Sequence, residues 1–294
     1  MRLLRNRIEI KTPDQVRLMR RAGLVVADVH AALREAVRPG VTTGELDAVC
    51  AATIERAGAR SNFKGYYDYP ATVCISVNEE VVHGIPGERV LREGDLVTFD
   101  CGACVLDESG TEWHGDAAFT TVVGGRYASD ADRVLDATTR RALWAAIAAL
   151  ARALAGDASG RAGRINTVGD TVEDVVAEAC RDYDVSLGIL EDYVGHGIGT
   201  AMHMEPDVLN YSVRRRGARL RPGMVLAVEP MLTAGEPEVE ELDDGWTVVT
   251  ADGSNAAQWE HTVALVPGGV WVLTASDGGV EGLDPYGIEP RPLR

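Results

Sequence analysis

Long apolar runs are missing from this sequence: no stretch reaches roughly 18 apolar residues, the length at which a transmembrane helix is expected. Arg2, Arg5 and Arg7 make a basic start, but no apolar segment follows them as it would in a secretory signal peptide. We therefore expect a cytoplasmic protein that does not bind a membrane. Its 294 residues, 46% of them apolar, are enough for a substantial core.

Positive charge is also scarce. The chain carries 29 basic and 45 acidic residues, which give a formal net charge of −16. Proteins that grip nucleic acid through its phosphates need a surplus of Lys and Arg. We expect no sequence-specific binding of nucleic acid, and any contact with the ribosome should be transient and local.

Cysteine is rare and odd in number, since the chain has five. This count favours reduced thiols over a disulfide framework. Cys101 and Cys104 form a C-x-x-C pair, but they lie in a predicted strand, where a separation of three places the side chains on opposite faces. Because no second pair exists, we expect neither a zinc knuckle nor a redox dithiol.

Signatures of several other enzyme classes are absent, namely the G-x-S-x-G elbow, the P-loop and H-E-x-x-H. Gly195-x-Gly197-x-Gly199 matches part of a dinucleotide fingerprint, but His203 and Pro206 follow it instead of a helix. Dinucleotide binding is therefore not expected.

Capping signals followed by helical spacing of apolar residues predict four helices. Their expected limits are Pro13 to near Gly40, Thr42 to Gly58, Ser129 to about Leu154, and Thr167 to about Cys180, with Thr167 as the N-cap of the last. Between the second and third helices, a strand is predicted at residues 72–77.

Four carboxylates interrupt or border apolar strand-like runs: Asp100, Asp116, Glu229 and Glu260. Such groups are costly to bury unless they are paired or bound to metal. His196 stands in a segment so rich in glycine that we expect neither a helix nor an ordinary packed strand, but backbone brought close to a bound group. Any one of the five could be a satisfied structural residue, whereas all five together favour a site.

Asp100 and Asp116 are predicted to face each other in a hairpin with its turn at residues 107–110 and its pairing centred near residue 108. Two Asp, two Glu and one His form an oxygen-rich ligand set with one imidazole. Such a set suits Mn, Fe, Co or Zn and is unlike the Cys ligands of a thiolate zinc site. The four negative charges match two divalent cations, so we expect a dinuclear centre that lowers the pKa of a bridging water.

The chain repeats itself. Thr42-x-Gly44-Glu45 is similar to Thr167-x-Gly169-Asp170, and His83-Gly84-Ile85 is similar to His196-Gly197-Ile198. We therefore predict a single catalytic domain over residues 1–294, with pseudo-symmetric halves at about 12–125 and 126–275 and short terminal extensions. Each half would supply two helices and antiparallel strands.

A set of ordered motifs spans residues 12 to about 275: VVHGIP (81–86), FDCG (99–102), HGDAAFT (114–120), GHGIG (195–199), MHMEP (202–206), VEPM (228–231) and WEHTV (259–263). With them the chain resembles type I methionine aminopeptidase of the M24 family, and actinobacterial members in particular. The resemblance implies an α+β pita-bread fold with internal pseudo-two-fold symmetry. It also implies a monomeric metallo-exopeptidase, a hydrolase that removes the N-terminal methionine from nascent polypeptides when the second residue is small.

The resemblance assigns roles residue by residue. One divalent metal ion would bind Asp100 and Glu260, the second would bind Asp116, His196 and Glu229, and Asp116 and Glu260 would bridge the two.

Outside the metal ligands, the resemblance implies that His83 and His203 contact the scissile amide and the oxyanion, and that Glu229 also shuttles a proton. The methionine pocket would be lined by Tyr66, Tyr69, Cys74, Met202 and Trp246. Backbone carbonyls near Asn78, Glu80 and Ala256 would hold a monovalent cation.

Two departures and two alternatives remain. Met202 and Met204 replace residues common in the family, and the hairpin between Asp100 and Asp116 is about five residues longer than is usual in the family. An aminopeptidase P or prolidase is disfavoured because such proteins usually carry a further N-terminal domain. A non-catalytic peptide-binding pita-bread protein would normally have lost metal ligands, and here all five are present.

Overall fold

The computed structural model describes residues 8–156 and 163–293, so Arg2, Arg5 and Arg7 lie outside the described residues. The helices are α1 (Pro13–Ala36), α2 (Thr43–Arg56), α3 (Asp130–Ala155), α4 (Thr167–Tyr183) and α5 (Val280–Leu283). Within these ranges, none of them combines the length and the apolar character that crossing a bilayer requires.

The strands are short apart from one long hairpin. In chain order they are β1 (Arg60–Ser61), β2 (Cys74–Val77), β3 (Glu80–Val82), β4 (Leu96–Leu106), β5 (Glu112–Val122), β6 (Gly188–Ile189), β7 (Gly195–Gly197), β8 (Met204–Val208), β9 (Val225–Val228), β10 (Met231–Thr233), β11 (Val239–Glu241), β12 (Val248–Thr250), β13 (Ala256–Gln258), β14 (His261–Val266) and β15 (Gly269–Val272).

The predicted helix starts are confirmed in three cases of four. The hydroxyls of Thr12, Thr42 and Ser129 each accept the backbone N–H three residues on, as N-caps do. The prediction for Thr167 is wrong, because the N-cap of α4 is Asn166 and makes no side-chain cap. The side-chain amide of Asn166 instead donates to the carbonyl of Arg215 and accepts the backbone N–H of Gly217.

The hairpin β4–β5 is the frame of the first half, and α1 and α2 pack beside it. Its predicted register is wrong by two residues, since Asp100 pairs with Ala118 and Asp116 with Gly102. The Asp107 carboxylate accepts hydrogen bonds from the backbone N–H groups of Ser109 and Thr111, and so extends the turn from the predicted residue 110 to Thr111. Because side chains alternate with a period of two, both aspartates still share one face.

The second half contains the sheet β15-β14-β9-β7-β8, against which α3 lies beside α4. Local geometry repeats between the halves. Isolated bridges join Thr42 to Val90 before α2 and Arg164 to Arg219 before α4. Gly94 and Gly223, each preceding a strand, both have φ of +91°.

Hydrogen bonds between β5 and the chain around β14 join the two halves at the centre of the molecule. The amide of Asp116 donates to the Thr262 hydroxyl, and the amide of Glu260 donates to the carbonyl of Ala118. Thr120 Oγ1 exchanges two bonds with the backbone of Gln258. This register fixes Glu260 beside Asp116.

Candidate metal centre and substrate pocket

The four predicted carboxylates and His196 line one cavity of about 360 Å³. Asp116, His196 and Glu260 are buried, and their donor atoms lie within 4.8 Å of one another. His196 Nε2 is 3.5 Å from Glu229 Oε1. The structure therefore brings together residues that lie up to 160 positions apart in the sequence, as 100 and 260 do.

The glycines around His196 have a different role from the one expected from the sequence. They form the buried strand β7, so the expectation that this segment is not a packed strand is wrong. A Cβ on Gly197 would lie 2.2 Å from the carbonyl oxygen of Glu205, and one on Gly195 would lie 2.4 Å from that of Ala227. Glycine is needed here because β8 and β9 approach closely, and His196 is thereby held on the sheet.

His196 could serve as a neutral ligand. Burial lowers its pKa to about 3, and the nearby His203 adds to the effect. Nδ1 lies 3.0 Å from the carbonyl oxygen of Gly197, to which it donates in the neutral ring. Nε2 then carries the lone pair that a metal requires.

The donor set fits divalent metal ions. Asp100 Oδ1, Asp116 Oδ1 and Glu260 Oε1 are buried oxygens without a hydrogen-bond partner among the described residues. Burial raises the pKa of Asp116, Glu229 and Glu260 well above the usual values, and neighbouring carboxylates raise it further. Cations between these groups would satisfy the oxygens and offset the repulsion.

The two histidines predicted to act outside the metal shell both line the cavity. Burial lowers the pKa of His83 to about 4, and desolvation also lowers that of His203. His83 has a φ of +61°, a strained conformation for a residue other than glycine. His203 Nδ1 lies 2.9 Å from the Tyr66 hydroxyl.

All five residues predicted to line the methionine pocket are found together, namely Tyr66, Tyr69, Cys74, Met202 and Trp246. Tyr69, Cys74 and Met202 are buried. The Tyr69 hydroxyl donates to the Gly84 carbonyl, and its ring meets Trp246 edge-on at 5.0 Å. The walls are largely apolar, which suits an unbranched thioether side chain.

Sequence reasoning missed Tyr193 and Gln258, which line the same cavity. Gln258 Nε2 donates to Glu229 Oε2 over 3.3 Å and so positions the carboxylate. Its place two residues before Glu260 was a usable signal, because alternation along an extended chain puts both on one face.

The C-x-x-C pair is divided as predicted. Cys101 Sγ lies 3.6 Å from Cys50 Sγ in the core, whereas Cys104 is close to Glu112 and His114. All five cysteines are free thiols. In the region predicted to hold a monovalent cation, the carbonyl of Asn78 accepts the amide of Ala256.

Comparison with known proteins agrees with this geometry. Residues 17–267 match metallopeptidase family M24. Methionine aminopeptidase 1 of Mycobacterium tuberculosis is 45% identical over 265 residues, which cover 90% of this chain and 94% of that protein. A crystal structure of methionine aminopeptidase from Thermotoga maritima matches with a TM-score of 0.81 at 34% identity, over 92% of this chain and 100% of that one.

The prolidase of Pyrococcus furiosus is more distant. It matches with a TM-score of 0.64 at 20% identity, over 91% of this chain and 65% of its own, a likeness that concerns the fold alone. The predicted α+β pita-bread fold is confirmed by these matches. The chain therefore belongs to metallopeptidase family M24.

Proposed function

We propose that this chain is a metal-dependent methionyl aminopeptidase, which removes the initiator methionine from nascent proteins when the second residue is small. The observation that carries the proposal is one cavity that combines an apolar side-chain pocket with clustered carboxylates and neutral histidines. The proteins named methionine aminopeptidase support it, since the similarity extends over nine tenths of the chain. The catalytic domain would comprise two pseudo-symmetric halves, at about residues 12–125 and 126–275.

Two divalent ions, from Co, Mn, Fe or Zn, are proposed for the centre. Asp100 and Glu260 would hold one and Asp116, His196 and Glu229 the other, with Asp116 and Glu260 shared. Divalent ions bound in such a centre lower the pKa of water and polarise a carbonyl oxygen.

Three side chains position the substrate or move protons. Glu229, which would also hold a metal ion and is positioned by the Gln258 amide, would accept the proton of the attacking water and pass it to the leaving amine. When the Tyr66 hydroxyl donates to His203 Nδ1, the neutral ring carries its proton on Nε2, from which it donates to the developing oxyanion. His83 would contact the scissile amide.

Specificity follows from the walls of the cavity. The methionine side chain packs among Tyr69, Cys74 and Met202, where a charged side chain would be buried without a partner. With methionine seated there, the second residue would lie beside His83 and His203. A large second side chain meets these rings, so Gly, Ala or Ser is favoured there over Leu, Lys or Arg.

A comparison of a Met-Ala-Ser peptide with an X-Pro peptide, each with and without added metal, tests this proposal. We expect metal-dependent cleavage of Met-Ala-Ser alone. Preferential cleavage of X-Pro would indicate a prolidase-like enzyme, and binding without cleavage at full metal content would indicate a peptide-binding protein.

The substrate suggests the setting. A nascent chain is met in the cytoplasm beside the ribosome, and the net charge of −16 favours a transient contact with it. We also propose that the enzyme acts as a monomer and that carbonyls near Asn78, Glu80 and Ala256 hold a monovalent cation.

A further inference from the structure

A second group of ligand-type side chains lies on the Asp116 face of the β4–β5 hairpin, nearer its turn. Cys104 pairs directly with His114 across the strands, and Glu112 is two residues from His114 on the same face. The donor atoms of these three side chains lie within 4.8 Å of one another. Asp116 is two residues beyond His114, about 7 Å along the strand, so this group is separate from the main centre.

We propose that Cys104, Glu112 and His114 form an additional metal site that binds Zn²⁺ or Co²⁺, independently of the catalytic centre. One thiolate, one imidazole and one carboxylate are ligands that these ions accept in tetrahedral sites with an open position. In tetrahedral geometry, bonds of about 2.0–2.3 Å set ligand atoms roughly 3.3–3.8 Å apart. Closing the site therefore needs a movement of up to about 1 Å, which the partly exposed Glu112 side chain can supply.

The orientation of His114 supports metal binding. Its Nδ1 lies 2.8 Å from Asn62 Oδ1, and Asn62 Nδ2 donates to the carbonyl of Gly115. The amide is thereby fixed with its oxygen toward the ring, so Nδ1 donates and Nε2 keeps its lone pair. Metal-binding histidines are usually held in this way. Nε2 is 3.9 Å from Glu112 Oε2, beyond hydrogen-bonding distance.

The thiol and the carboxylate are also suitably placed. Cys104 is buried, and burial together with the nearby Glu112 raises the pKa of its thiol to about 11, although Arg60 acts to lower it. A bound cation replaces the thiol proton, which is released to solvent. Arg60 Nη1 lies 3.3 Å from Glu112 Oε1, which leaves Oε2 available to the ion.

Cobalt reports thiolate ligation through a charge-transfer band in the near ultraviolet. We would remove metals from the full chain, titrate it with Co²⁺ alone, and compare wild type with Cys104→Ser, Glu112→Gln and Asn62→Ala. Cys101→Ser is the matched control, because Cys101 is on the same strand but faces the core beside Cys50. Zinc content after dialysis gives an independent count.

The band should appear in wild type and in Cys101→Ser and be absent in Cys104→Ser, which should also hold one zinc fewer per chain. Asn62→Ala and Glu112→Gln should weaken the cobalt affinity of the band by about 10–100-fold. If Cys104→Ser does not fold, the test relies on Glu112→Gln, because the Glu112 side chain is partly exposed. The site is refuted by the absence of a band in wild type, or by a band that survives Cys104→Ser or keeps its affinity in Glu112→Gln. Peptide cleavage, measured separately, tests the proposed function.

Discussion

Replacing His203 with alanine removes the group that we expect to stabilise the oxyanion and leaves the metal ligands in place. The His203 ring lies 4.4 Å from the ring of His196. His203 is exposed, so its loss creates no closed cavity in the core. The variant should therefore fold and retain its metal.

The size of the effect follows from the hydrogen bond that is lost. Removing one donor to a developing oxyanion lowers kcat by roughly 10²–10³-fold. Tyr66→Phe removes only the hydroxyl that sets the His203 tautomer, a net loss of about 0.5–1.5 kcal/mol or roughly 2–10-fold in kcat. Tyr66 also lines the methionine pocket, so its substitution should additionally raise KM.

Steady-state kinetics on a Met-Ala-Ser peptide, with metal content measured on each variant, separate these roles. In the double variant, Tyr66→Phe should leave kcat unchanged from that of His203→Ala alone, because the hydroxyl acts on kcat through the imidazole. Loss of metal in His203→Ala would show that this residue is a ligand. If the effects of the two substitutions on kcat multiply in the double variant, the Tyr66 hydroxyl does not act through His203 and the proposed role of their hydrogen bond is refuted.

Three further outcomes are expected. Asp116→Asn or Glu260→Gln should abolish turnover and lower the bound metal, and a near-normal kcat with full metal content would contradict a shared-ligand centre. Chelation should remove activity and lower Tm. Adding metal back to a free concentration one hundred times the Kd of one site should restore about 2.7 kcal/mol of the free energy of unfolding, and an unchanged Tm would contradict metal binding to the folded state. Gly197→Ala should cost roughly 3 kcal/mol in a denaturant melt, since its Cβ would lie 2.2 Å from a carbonyl oxygen, whereas Gly87→Ala meets nothing within 4 Å. Equal stability of these two variants would contradict the close packing of β7.

The sequence predicted the cluster at the centre because its members violate the local pattern. Asp116 in β5 and Glu260 just before β14 are buried acids beside apolar residues, and such a cost is tolerated where a site requires it. Gln258 escaped notice because burying a neutral amide costs far less than burying a charge. The bond between Tyr66 and His203 joins positions 137 apart and depends on the assembled halves, which no local signal reveals.

Two predicted element boundaries are wrong because of hydrogen bonds to distant parts of the chain. The strand predicted from residue 72 begins at Cys74, because Asp47 of α2 accepts the amide and hydroxyl of Thr72 and holds it outside the ladder. Asn166 is drawn to the backbone near Gly217 and is lost as a side-chain cap. In both cases a polar side chain bonds to a segment distant in sequence.

The central claim is most directly tested by kcat/KM across Met-X-Ser peptides, followed by first-residue variants of the best substrate, in metal-loaded enzyme. We predict high values for Gly, Ala and Ser at the second position and low values for Leu, Lys and Arg. Norleucine should replace the first methionine, whereas a charged first residue should not. Equal values for Met-Ala and Met-Arg, or a strong preference for proline at the second position with any first residue, would contradict the proposed specificity.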